Sequence, residues 1–194
     1  MEARVEAVIA ELDGHRARFE AFCRSLRPGE LARPVPGSDW AVRDFIAHLA
    51  TIDAPVTRMF LTYQGGSPPN GDPGGEGPAW SVDRWNQGRV DERRERGVED
   101  LLVEAATSRA RCREALAAFT AEHVEQTMRF GGDSKRPASE IRLLDYLRGW
   151  CKHDPMHAVD MIRALPEHDT PQMREWFDDP VIQGYQAAMN RPRA

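Results

Sequence analysis

His153 and His157 stand four residues apart in Trp150-Cys151-Lys152-His153-Asp154-Pro155-Met156-His157. That spacing stacks two imidazoles on one helix face. They also fall on an apolar stripe, because Leu143, Tyr146, Trp150, His153, His157, Met161 and Ala164 recur at helical intervals. An imidazole on a core-facing stripe is costly to bury without a partner. A metal ion supplies one. Zinc-type catalytic sites use three protein ligands and leave a position open, so a third donor is needed. His48 is the best one: it sits beside Leu49, on the edge of the stripe Val42, Phe45, Leu49, Ile52, Val56, Met59 and Tyr63. Asp44, one turn before His48, or Asp160, three residues after His157, could hold a ligating ring in one tautomer. Without a metal, the pair reads as part-buried, water-satisfied histidines. His15 reads as a core-edge histidine, and His123 and His168 follow predicted helix ends at the surface.

Two sharper motifs are set aside. His-Asp-Pro-Met-His differs from the zincin His-Glu-x-x-His in the residue that acts as general base, and no further histidine follows at metzincin spacing. The Glu-x-x-His pairs of di-iron bundles are absent.

The elements that must position these residues are helical. Residues 2–27 carry Val5, Val8, Leu12, His15, Phe19, Phe22 and Leu26 on one face, and Pro28-Gly29 ends that run. A proline-rich connection, 28–37, leads to a second helix over 39–63, which Pro55 should kink. Residues 64–79 hold six glycines and four prolines and read as a loop, either a mobile surface segment or a lid over a site. A third helical region covers 80–121, divided at Gly97, and Gly131-Gly132-Asp133-Ser134 is a loop. The fourth helix, 138–165, opens on a Ser139 cap and carries the paired histidines, with Pro155 bending it between them. Thr170-Pro171 and Asp179-Pro180 start two short helices. No strand is evident. The pattern is all-α: an antiparallel four-helix bundle over 1–165 with a short C-terminal helical appendage, 166–194.

Composition narrows the setting. The 194 residues carry a net charge of −5, which argues against nucleic acid, whose partners show a basic footprint. The mixed-sign run Asp91-Glu-Arg-Arg-Glu-Arg96 reads as a solvated face. Arginine outnumbers lysine 24 to 2, in keeping with a high-GC bacterial genome. Cys23, Cys112 and Cys151 form no CxxC pair and no disulfide framework, so a cytoplasmic setting is expected. The first residues lack a signal-peptide core, and no apolar run approaches membrane-span length.

Two segments carry a family likeness. Trp40-Ala-Val-Arg-Asp44-Phe-Ile-Ala-His48-Leu49 resembles the tryptophan-to-histidine signature of the DinB-like superfamily, and Leu147-Arg-Gly-Trp-Cys-Lys-His153-Asp154-Pro-Met-His157-Ala-Val-Asp160 is similar to its His-Asp-x-x-His signature. That superfamily includes the mycothiol-dependent maleylpyruvate isomerase N-terminal domains. The resemblance spans roughly 5–165 and implies a four-helix bundle with a three-ligand metal site at His48, His153 and His157, holding zinc or nickel. It implies homodimers and thiol-cofactor-dependent transfer or isomerisation of small electrophiles. Trp85-Asn86 is similar to a family position near the pocket, while Pro155 departs from the usual helix continuity. The leading expectation is a divalent-metal-dependent enzyme using a low-molecular-weight thiol on a small-molecule substrate. The alternatives are a metal-hydroxide hydrolase that detoxifies a reactive metabolite, or a non-catalytic metal-binding stress protein. Cys151 is expected to point into the core rather than to react.

Overall fold

A computed structural model describes residues 1–65, 81–130 and 138–189. The chain runs through α1 (Ala3–Ser25), α2 (Pro28–Leu31), α3 (Val42–Thr51), α4 (Asp53–Gln64), α5 (Val82–Asp91), α6 (Val98–Ala117) and α7 (Ala121–Glu125). It continues through β1 (Thr127–Phe130), β2 (Ser139–Arg142), α8 (Leu143–Trp150), α9 (His153–Ile162), a 3-10 turn (Pro166–His168), α10 (Pro171–Phe177) and α11 (Pro180–Met189). The fold is all-α, with α1, α3–α4, α6 and α8–α9 as the four legs of the bundle. The glycine- and proline-rich stretch 64–79 lies outside the described residues from 66 onward, as does the loop at 131–134.

The two long interior prolines do not act where the sequence places them. Pro155 does not bend the helix between the histidines. Instead the break falls at Cys151 and Lys152, and Pro155 is the third residue of α9. Pro55 is likewise third in α4, with the break at Ile52. A proline ring clashes with the carbonyl four residues earlier, but in a first turn its missing N–H has no intrahelical acceptor to lose. Each break therefore precedes its proline. His153 and His157 consequently share one unbroken helix, and their spacing is kept.

A second correction concerns strands. β1 and β2 form an antiparallel hairpin with Thr127 opposite Arg142 and Met128 opposite Ile141. Ser139 thus begins a strand rather than capping a helix, and the helix opens four residues later at Leu143. Four-residue strands carry too little alternation to register as a period. The hairpin runs directly into α8, with Leu143 N donating to Gln126 O at 2.8 Å.

The core falls into two apolar clusters. One gathers Val5, Leu12, Val56, Phe60, Cys112, Leu116, Leu143 and Leu147. The other gathers Phe19, Phe45, Leu49, Leu102, Ala105, Ala158, Met161 and, from the C-terminal segment, Trp176, Phe177 and Ile182. A layer of four buried charges lies at the change from one to the other. Arg16 follows Leu12 and precedes Phe19. Arg109 lies between Ala105 and Cys112, Asp53 between Ala50 and Val56, and Asp154 between Cys151 and Ala158. Arg16 grips Asp154 in two places, Nε to Oδ2 at 2.8 Å and Nη2 to Oδ1 at 2.9 Å. Arg109 donates to Asp53 Oδ2 at 2.7 Å and to Leu12 O at 3.1 Å, and its Nη2 lies 3.4 Å from Asp154. Two positive and two negative groups balance, as burial requires. Burial pushes the Asp53 carboxyl up against the pull of Arg109 and Arg16.

The C-terminal helices begin at the two predicted starts. Thr170 caps α10 by accepting from Met173 N at 3.3 Å, and Asp179 Oδ1 accepts from Val181 N at 2.8 Å at the start of α11. Trp176 Nε1 donates to His15 Nδ1 at 2.8 Å, which ties α10 to α1. Among the described residues no helix is long and apolar enough to cross a membrane.

Candidate metal centre

His48 lies in the last half of α3, with 3% of its surface exposed. The turn before α3 fixes its start: Val35 and Trp40 pair backbones, Gly37 takes φ 77° at the bend, and Asp44 Oδ2 accepts from Ala41 N at 2.9 Å. Asp44 therefore caps its own helix and is not the group that holds His48, which corrects one of the two carboxylate expectations. Only a glycine adopts that φ without strain.

His153 and His157 occupy the first two turns of α9, whose N-terminal turn is anchored by the bidentate Arg16–Asp154 pair. The structure brings the three rings together. Centroids are 5.5 Å apart for His48–His153, 5.0 Å for His48–His157 and 4.6 Å for His153–His157. One ligand nitrogen from each lies within 4.8 Å of the others. Aromatic rings wall the group: Trp40 against His48 at 5.2 Å, Phe45 against His157 at 5.5 Å, and Trp150 stacked on His153 at 4.7 Å. His157 Nδ1 meets Asp160 Oδ2 at 3.1 Å, so the second carboxylate expectation is the one that the geometry realises. A carboxylate can only accept, so Nδ1 is the donating nitrogen of His157 and Nε2 is the one left to face the other rings.

Two atoms mark the group as more than packed imidazole. Nδ1 of His48 and Nδ1 of His153 are buried without a hydrogen-bond partner, a condition that native structures rarely leave unanswered. Burial, reinforced by the proximity of His157, holds both rings well below the ordinary imidazole range. They are neutral at pH 7, the form in which histidine ligates. Three imidazole nitrogen donors with no carboxylate among them suit a borderline cation such as Zn²⁺ or Ni²⁺.

The same burial sets a pH dependence for the chelator-stripped protein. Unfolding frees His48 and His153 to titrate near 6.5, while the folded rings resist the proton. Below that pH the unfolded state binds more protons, so stability falls as pH drops. The expected slope is about 1.4 kcal/mol per pH unit for each ring. Urea denaturation at pH 7 and pH 5.5, with and without zinc, measures it. A metal-free protein equally stable at both would contradict the buried neutral state.

Other predicted residues lie elsewhere. His15 is engaged by Trp176, and His123 Nδ1 accepts from Thr120 N at 3.1 Å at the start of α7. His168 packs edge-on against Phe22 and sits 3.3 Å from Glu30. Glu30 and Glu167, beside His168, are already matched by Arg27 and Arg33. Of the Trp85-Asn86 pair, Trp85 lies under the Arg89 guanidinium at 5.7 Å. Their helix reaches the site through Gln87, which accepts from Trp40 Nε1 at 2.8 Å. The cysteines are all buried and free. Burial pushes the Cys112 and Cys151 thiols up to about 12 and raises Cys23 as well. Cys151 points inward, its Sγ 3.0 Å from Arg148 O and 3.3 Å from Glu11 Oε2. Burial thus disfavours the thiolate at all three cysteines, which speaks against a cysteine nucleophile of the chain's own.

A helical bundle whose second and fourth legs present three histidines to one another defines a class of small α-helical proteins with an imidazole-built site. The chain belongs to the mycothiol maleylpyruvate isomerase N-terminal domain family, which it matches over residues 12–162, within the DinB-like superfamily. No curated protein sequence matches it. Among solved structures it resembles a mycothiol-dependent maleylpyruvate isomerase (TM-score 0.59, 13% identity) and a histidine-to-alanine mutant of such an isomerase (TM-score 0.60, 12% identity). Each match covers 81% of this chain and 60% of the other. The chain thus spans less than two thirds of those isomerases, and at this identity the likeness is one of fold.

Proposed function

We propose that the protein is a divalent-metal-dependent enzyme that uses a low-molecular-weight thiol to transfer to, or isomerise, a small electrophile. The observation that carries this reading is the His48/His153/His157 group with its two orphaned buried nitrogens. These three residues would hold the cation, with zinc the best match to the donor set and nickel the next. A cation there supplies positive charge that draws a proton from a thiol or a water at neutral pH. The protein's own contribution is positional. Asp160 fixes the His157 tautomer, Trp150 covers one face of His153, and Trp40 and Phe45 keep bulk water from the inner side.

The family supports a thiol as co-reactant, since the solved structures that the chain resembles are of mycothiol-dependent isomerases. The burial of all three cysteines fits this reading, in which the sulfur comes from outside the chain.

The test is an elemental analysis of the purified protein followed by two thiol-dependent assays: loss of thiol with activated alkenes, which reads transfer, and conversion of maleylpyruvate to its trans isomer with thiol present, which reads isomerisation and returns the thiol unchanged. The zinc-loaded protein is expected to turn over in one of them at least tenfold faster than the chelated protein. If the loaded protein shows no thiol-dependent turnover in either, the thiol reading fails. Turnover without thiol would move the assignment to a metal-hydroxide hydrolase.

A further inference from the structure

The Asp160 side chain answers two groups, not one. His157 Nδ1 lies 3.1 Å from Oδ2, and the Tyr185 hydroxyl donates to the same Oδ2 at 2.6 Å. Asp160 is 3% exposed, so its acceptor oxygens depend on protein donors rather than water. Tyr185 comes from α11, beyond residues 12–162 that define the family match. Its ring meets His157 edge-on, with centroids 6.4 Å apart and planes at 86°.

The same helix grips α9 at a second place. Asp179, at the start of α11, pairs with Lys152 at 2.9 Å, and Lys152 is the residue immediately before His153. Ile182, between these contacts, is fully buried in the core cluster that also holds Ala158 and Met161 of α9. So α11 holds α9 at the residue just before it and again at Asp160 near its C-terminal end, on either side of the two histidines.

We propose that Tyr185 is a positioning residue of the histidine site. By donating to Asp160 Oδ2 it pins the carboxylate in the orientation that accepts from His157 Nδ1–H, and so presents Nε2 as the donor toward His48 and His153. The site is thereby completed by a segment outside the family's common span. Outer partners of ligating histidines act in this way, and removing one costs about 10- to 100-fold in metal affinity. The affinity part of this inference rests on the cation reading above. The tautomer part does not.

The experiment compares wild type, Tyr185→Phe, Asp160→Asn and the double variant. Side-chain ¹⁵N spectra of the metal-free proteins report which nitrogen of His157 is protonated, and chelator competition reports zinc affinity. Phenylalanine keeps the ring volume, so the fold is retained, and an unchanged circular dichroism spectrum checks it. Wild type is expected to show His157 with Nδ1 protonated alone. Tyr185→Phe is expected to mix the tautomers and weaken zinc binding about tenfold. In the Asp160→Asn background it is expected to add nothing, because the phenol acts through that carboxylate. Unchanged tautomer and affinity in Tyr185→Phe would overturn the inference, as would losses that simply add in the double variant. A wild-type His157 protonated at Nε2 would overturn it whether or not any variant folds. Wild type that binds no zinc would sink the cation reading, and the tautomer comparison would still decide the role of Tyr185.

Discussion

Replacing His157 by alanine is expected to lower zinc affinity by more than about a hundredfold, beyond what loss of an outer partner costs. The three rings converge with ligand nitrogens within 4.8 Å, and no carboxylate among them stands ready as a substitute donor. Asp160 is committed to Nδ1 of His157 itself. Alanine thus leaves a two-imidazole site, and two ligands hold zinc poorly. His48→Ala should do the same from the other leg of the bundle, because its ring reaches both α9 histidines at 5.0–5.5 Å. Chelator competition on the two variants and wild type measures the change. Retention of affinity within fivefold in either would show that the cation, if bound, sits elsewhere.

The second large effect lies in the charge layer. Asp154→Asn is expected to destabilise the protein by about 3–5 kcal/mol, read by urea denaturation at pH 7. The substitution keeps the volume but removes one of two negative charges that face Arg16 and Arg109. A net positive charge is then left in a layer where Arg16 is 5% and Arg109 4% exposed. The melting temperature should fall by about 10 °C for a chain of this length. Replacing all four charged residues by apolar ones of similar size is expected to be nearly neutral, since the ion pairs mostly repay their own desolvation. A loss under 1 kcal/mol for Asp154→Asn would mean that the layer is hydrated rather than dry.

Much of the site was readable in the sequence. Two histidines at helical spacing on an apolar stripe announce a shared face, and His48 beside Leu49 offers the only matching ring on the second leg. The helices themselves were readable because long periods survive small boundary errors. What was not readable depended on pairings between distant segments. Asp44 and Asp160 were equivalent as sequence, each within a turn of a histidine, and only the fold separates them, turning Asp44 to its own helix start and Asp160 to His157. Tyr185 carries no local sign that its hydroxyl meets α9 from 25 residues away. The charge layer did leave a sign that periodic reading passed over. Arg16, Asp53 and Arg109 each stand four after and three before an apolar core residue, which puts them on the buried stripe instead of the wet one. The hairpin was lost because each strand is four residues long.

The charge layer also has a bearing on how this chain can change over generations. Bidentate contacts such as Arg16 to Asp154 tolerate little displacement along the helix axis, and a single inserted residue turns a helix by about 100°. Insertions or deletions inside any of the four legs near that level would break the pairing, whereas apolar exchanges on either side only need to conserve volume. The half of the bundle built from Val5, Leu12, Phe60 and Leu116 should therefore accept volume-conserving exchanges, provided that Trp150, which packs against it and stacks on His153, keeps its place, while the register of the four ionic positions stays locked.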